Sequence, residues 1–123
     1  MSKSKQKGTL AETAVADYLR QTFPAVERRV LAGVNDKGDI SNVPFTAVEV
    51  KNQRSYKIHE WMKETEIERI NAGEELGVLV IKPNGVGVAN VEKWWCVVSL
   101  ETITALIEEL RVKRLQSSPN RGD

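Results

Sequence analysis

Glu49 and Lys51 flank Val50 in a stretch with β-branched residues at 46, 48 and 50, and such a stretch favours a strand. A strand alternates faces with period 2. Glu49 and Lys51 therefore share one side, roughly 6–7 Å apart, while the valines face a core on the other. Asp39 follows Gly38 at a turn-to-strand boundary and supplies a second carboxylate. Two carboxylates and an ammonium on an otherwise apolar strand suit a divalent metal ion and an attacked phosphate.

Each of these residues also has a plainer reading. Aspartate is common in turns, although Asp36, set among Asn, Lys and Gly, is the better turn residue here. Glu49 and Lys51 could form a surface pair on a half-exposed edge strand. Against that, a carboxylate within Val-Glu-Val is disfavoured unless its face is wet or its charge is satisfied. Glu12 completes a capping box, Thr9-Leu-Ala-Glu12. It also borders the apolar stripe of its helix, from which its side chain can reach over a sheet edge. Arg54 and Lys57 follow Lys51 and extend a basic surface, and Lys82 ends a strand beside a turn, where a cation can reach a phosphate. His59 is the only histidine and is left out of the site. Gly85-Val-Gly-Val has no helix after it and is not read as a nucleotide loop.

The elements that must position these residues follow from hydrophobic periodicity. Apolar residues at 10, 11, 14, 15, 18 and 19 predict a helix over 8–22, stopped by Pro24. Strands are expected at 26–32, 39–41 and 45–51, with turns at 33–38 and 42–44. A helix over 59–73, closed by Gly73, precedes the continuous apolar run 77–82, which reads as a strand buried on both faces. A strand at 93–98 carries Trp94 and Trp95, so one faces the core; the other could stack on a base, though packing is the simpler role. Ser99 can cap a last helix striped by residues 100, 103, 107 and 110. The order predicts an α/β fold, a central mixed sheet flanked by helices, with the strands on either side of 59–73 parallel.

At 123 residues, one domain with one modest core is expected. No apolar run spans a membrane, residues 1–7 lack the apolar segment of a signal peptide, and the single cysteine, Cys96, forms no internal disulfide or zinc pattern. A reducing, cytoplasmic setting is expected. Lys3, Lys5 and Lys7 read as a short basic arm over 1–7, ahead of a domain over 8–115. Residues 116–123 read as a disordered tail. Each end (residues 1–7 and 111–123) carries a net +3, which leaves the body at −5 within a total of +1. Basic ends on an acidic body fit a phosphate-backbone partner, or serve merely to solubilise.

Gly8-x3-Glu12, Gly38-Asp39 and Glu49-Val50-Lys51, in this order, resemble the PD-(D/E)XK nuclease superfamily. Within it the chain looks most like the small Holliday-junction-resolvase-like nucleases of archaea and phages. The short length, the glutamate on the first helix, Val-Glu-Val-Lys-Asn and a helix bearing Trp61 all favour this subgroup. The resemblance spans residues 8–110. Gly38 stands where the superfamily's namesake proline would be, and no acidic or lysine position of the motif is lost. The resemblance implies a restriction-endonuclease-like αβββαβ core and hydrolysis of DNA phosphodiesters to 5′-phosphate products. It implies Mg²⁺, with Mn²⁺ as substitute, held by Asp39, Glu49 and the Val50 carbonyl, with Glu12 binding directly or through water. Lys51 would orient or deprotonate the attacking water. Lys3, Lys5, Lys7, Gly8, Arg54, Lys57 and Lys82 would contact DNA, and symmetric cutting of a four-way junction implies a homodimer. Two alternatives stand beside this: the same site used as a nickase, flap or repair nuclease, and a non-catalytic nucleic-acid-binding module.

Overall fold

Ser2 opens the first helix, α1 (Lys3–Arg20): its hydroxyl accepts the Lys5 amide at 3.2 Å and its carbonyl accepts that of Gln6 at 3.0 Å. This corrects the expected start near Thr9. Lys3, Lys5 and Lys7 occupy the first turns of α1 and do not form an arm ahead of it. Lysine and glutamine are good helix formers, so a serine cap six residues upstream of Gly8 outcompetes one at Thr9. The computed structural model describes residues 2–29 and 37–117.

After α1 the chain forms β1 (Glu27–Arg28), β2 (Ile40–Ser41), β3 (Thr46–Lys51), α2 (Ile58–Ala72), β4 (Leu76–Ile81), β5 (Trp95–Val97) and α3 (Leu100–Gln116). The five strands make one mixed sheet in the order β1-β2-β3-β4-β5. Among the described residues only β3 and β4 run parallel, with Glu49 opposite Leu79 and Lys51 opposite Ile81. The helix that joins them, α2, is the crossover that a parallel pair requires. The fold is thus α/β, a five-stranded mixed sheet flanked by helices.

Each face of β3 meets a different helix. Val48 and Val50 pack with Ile40 and Val80 beneath Ala11, Val15 and Ala16 of α1. On the opposite face Trp61 of α2 covers Leu79 and Ile81. A fully buried Ile40 or Leu79 contributes about 1.5–3 kcal/mol. The same alternation that buries the valines turns Glu49 and Lys51 toward α2.

The remaining differences from expectation lie at element ends. β1 is described for two residues, and 30–36 lie outside the described residues. A 3₁₀ stretch, Val88–Lys93, takes the place of the start of the last strand. Trp94, at its end, drops into the α1 core, while Trp95 points outward, edge-on to Tyr56 at 5.7 Å. Ser99 caps α3 as expected, its hydroxyl accepting the Thr102 amide, and α3 continues to Gln116, into the span read as tail. Residues 118–123 lie outside the described residues. Among the described residues no helix is long and apolar enough to cross a membrane.

Candidate active site

Asp39 holds the end of β2 against β3 through both its backbone and its side chain. Its amide donates to the Val48 carbonyl at 2.8 Å, and its carboxylate Oδ2 accepts the Val50 amide at 2.8 Å. The carboxylate thus stands in for a strand carbonyl where the two-residue β2 runs out. Gly38 makes this approach possible. It sits at φ +98°, and a Cβ there would lie 2.8 Å from the Val48 carbonyl oxygen. Proline, fixed near φ −65°, does not fit this turn, whereas glycine does.

Glu49 is only 5 % exposed. Burial pushes its carboxyl up to about 8; a hydrogen bond with Asp39 lowers it, a hydrogen bond with Glu68 and the Glu68 charge raise it, and Lys51 lowers it. Glu68 is itself 2 % exposed, on the inner face of α2. Glu49, Glu64 and Glu68 bring carboxylate oxygens within 4.8 Å of one another. Lys51 Nζ lies 2.8 Å from Glu64 and 3.8 Å from Glu49, and 5.9 Å from the centre of the Trp61 ring. Burial disfavours the Lys51 charge, but the Glu64 hydrogen bond and the Glu49, Glu64 and Asp39 charges outweigh it and raise its pKa. The closest partner of Lys51 is therefore Glu64, not the Glu49 suggested by strand spacing.

Glu12 reaches across from α1. Arg28 of β1 donates to it through Nε at 3.0 Å. Burial and the Asp39 charge raise its pKa, and Arg28 opposes them. With α1 beginning at Lys3, Glu12 lies well inside the helix and does not cap it, so its side chain is committed to the cleft side.

Glu12, Asp39, Glu49, Lys51 and Glu64 line one open cleft of about 640 Å³, and Glu68 and Arg28 are not among its lining residues. Its floor is Asp39, Glu49, Val50 and Lys51. One wall is the α1 face of Ser4, Lys7, Gly8 and Glu12; the other is Asn52, Gln53, Arg54 and Glu64. Asn52 Nδ2 ties the walls together by donating to the Lys7 carbonyl at 3.2 Å. The Arg54 loop is clipped from behind by Asn84, whose Nδ2 donates to the Arg54 carbonyl at 2.8 Å and whose amide donates to the Tyr56 hydroxyl at 2.7 Å. Of the cations expected to meet DNA, Lys7 and Arg54 line the cleft together with Gly8; Lys3, Lys5, Lys57 and Lys82 do not. Lys82 is fixed through its amide to the Lys51 carbonyl at 2.9 Å.

Sequence reasoning missed Arg28, Glu64 and Glu68. A signal for the last two was present: Trp61, Glu64, Thr65 and Glu68 fall on one helical face, so the glutamates share the side that the tryptophan buries.

Comparison with known proteins finds no matching family model, no matching curated protein and no matching solved structure. The chemistry of the cleft is therefore read from its own residues. Five carboxylates (Glu12, Asp39, Glu49, Glu64 and Glu68) gather around the end of β3 with Lys51 and Arg28 as the facing cations. Hard oxygen donors of this kind, two of them nearly fully buried, fit a divalent cation such as Mg²⁺, though not that ion alone. The tightest acidic cluster among the described residues is Glu49-Glu64-Glu68, and it does not include Asp39 or Glu12.

Proposed function

We propose that the chain is a metal-dependent DNA endonuclease of the PD-(D/E)XK type, acting on branched DNA as a Holliday junction resolvase. The observation that supports this best is the Asp39–Val50 hydrogen bond. It sets Asp39 beside Glu49 and Lys51 on the floor of a cleft that Lys7 and Arg54 also line.

Asp39, Glu49 and the Val50 carbonyl, with Glu12 at the wall, are the groups that would hold Mg²⁺ or Mn²⁺. A bound cation supplies charge neutralisation at the scissile phosphate and a water of lowered pKa. Asp39 is pre-oriented, because the Val50 amide fixes one of its oxygens. Glu49 must give up a proton at neutral pH to serve as a ligand. Lys51 exchanges Glu64 for the phosphate and steadies the charge that builds on it in the transition state. Lys7, Arg54 and the N-terminal turns of α1, which carry no acidic residue in the first turn, favour the DNA backbone electrostatically.

The test is a cleavage panel with Mn²⁺ or Mg²⁺ on linear duplex, single strand, fork, flap and four-way junction at equal concentration. Paired symmetric cuts confined to the junction are expected, leaving 5′-phosphates. Cleavage of flaps or single nicks instead would keep the chemistry and change the substrate. Undiminished cleavage by Asp39→Ala would remove the site assignment altogether.

A further inference from the structure

The adjacent tryptophans at the end of the sheet have different fates. Trp94 is buried, whereas Trp95, the first residue of β5, stays 50 % exposed. The Tyr56 ring meets Trp95 at 5.7 Å with 66° between the planes. Rings at that angle do not stack flat, and each covers at most one face of its neighbour. Tyr56 is anchored at its far end, where its hydroxyl accepts the Asn84 amide at 2.7 Å. The pair is thus a held ring supporting a half-exposed indole with flat surface left for another planar group.

Sheet register places this pair beside the cleft. Lys51 lies opposite Ile81, and Ile81 lies opposite Trp95. Directly opposed residues share a face, so Lys51 and Trp95 stand on one side of the sheet, two strands or roughly 10 Å apart. The chain between β3 and α2 joins the two places. Asn52, Gln53 and Arg54 line the cleft, and Tyr56 meets Trp95 two residues later. Residues 52–57 read Asn-Gln-Arg-Ser-Tyr-Lys, with Arg54 and Lys57 as cations and no acid. A ring between two cations, on a segment that leaves the cleft, matches a strand in which bases alternate with phosphates. The charge favours such a polyanion over an apolar protein surface.

We infer that Trp95, supported by Tyr56, is a stacking site for an unpaired DNA base. The ligand class is a single-stranded segment, such as a duplex exposes where it opens. The stacking stands on the aromatic pair and its loop. Only the use of the site, steering an opened strand toward the metal-binding floor, rests on the nuclease reading above.

Tryptophan fluorescence in EDTA, where no metal-dependent cleavage runs, tests this with a short oligothymidylate. The oligonucleotide is expected to quench wild-type emission, and a blunt duplex of equal length to quench it less. Trp95→Ala is expected to remove the quenching and to weaken binding of labelled oligothymidylate about tenfold or more in an anisotropy titration. Its circular dichroism should stay native, since Trp95 belongs to neither core cluster. Trp95→Phe, which keeps a ring, is expected to bind within a few-fold of wild type. No quenching of the wild type, unchanged affinity in Trp95→Ala, or an equal loss in Trp95→Phe overturns the inference. Quenching by a wild-type protein that cuts no DNA in Mn²⁺ would count against the nuclease reading and leave the base site standing.

Discussion

Helices α2 and α3 break the rule of apolar inside and polar outside in opposite ways. α2 turns Glu68 inward, 2 % exposed, beside Glu49 and Glu64, on the face that Trp61 buries. α3 turns Leu100, Ile103, Ile107 and Leu110 outward. Two buried carboxylates, Glu49 and Glu68, and an exposed leucine–isoleucine seam are both costly in an isolated chain. The difference is in what each set of side chains meets: Glu68 faces Glu49 and Glu64, whereas the α3 residues face outward.

The sharpest way to break this comparison is at the floor of the cleft. Lys51→Ala and Asp39→Ala are each expected to lower metal-dependent cleavage about a thousandfold or more, measured by product formation on a labelled junction. DNA affinity in a filter or shift assay should stay near wild type. Asp39→Ala also leaves the Val50 amide without its acceptor, so a loss of about 1–3 kcal/mol in a urea melt is expected alongside.

A smaller effect separates the two helices by pH. The folded protein holds a proton on Glu49 up to about 8, above its ordinary value of 4.5. The folded state therefore binds more protons than the unfolded one between these values. Stability without metal should fall as pH rises from about 5 to 8, by on the order of 3 kcal/mol, and flatten beyond. Urea unfolding in EDTA reads this directly. Glu49→Gln should flatten the profile, and added Mn²⁺ should restore stability at pH 8 more than at pH 5.5. Next in size, Glu68→Gln should stabilise the metal-free protein at pH 8 by about 1 kcal/mol, because it removes a carboxyl that Glu49 must otherwise face when charged. The smallest effect is expected on α3, where Ile107→Glu at an exposed position should shift the stability of the chain by no more than about 0.5 kcal/mol.

β3 was the most legible part of the chain. Its period of two assigned Val48 and Val50 to the core and Glu49 and Lys51 to the opposite face, and the parallel pairing with β4 followed from the helix between them. The Glu49–Lys51 pairing on one face was readable for the same reason, whereas Asp39, on a separate segment, was joined to them only by its turn position and the motif resemblance. What could not be read was tertiary. Ser2 and Thr9 are both competent caps, and only the helix-forming lysines between them decide which is used. Glu68 looks like a surface residue because glutamate is seldom buried; its burial comes from the packing of α2 against β3, while Glu64 stays exposed beside Lys51. The Arg28–Glu12 pair joins residues sixteen apart through two elements, a distance that no local pattern encodes. The α3 stripe was visible in the sequence, but its period says only that a face is apolar, not whether the same chain covers it.

The clip at Asn84 has a consequence for timing. Two hydrogen bonds hold the loop that carries Arg54 before any ligand arrives. On the nuclease reading, a loop whose backbone is already held gives up less freedom when the Arg54 side chain meets a phosphate, so less of the attraction is spent on ordering the loop. Loosening the clip by Asn84→Ala should then shorten the lifetime of a bound complex while encounter proceeds at nearly the same speed. Asn84 would act as a clock on the cleft, setting how long a phosphate stays.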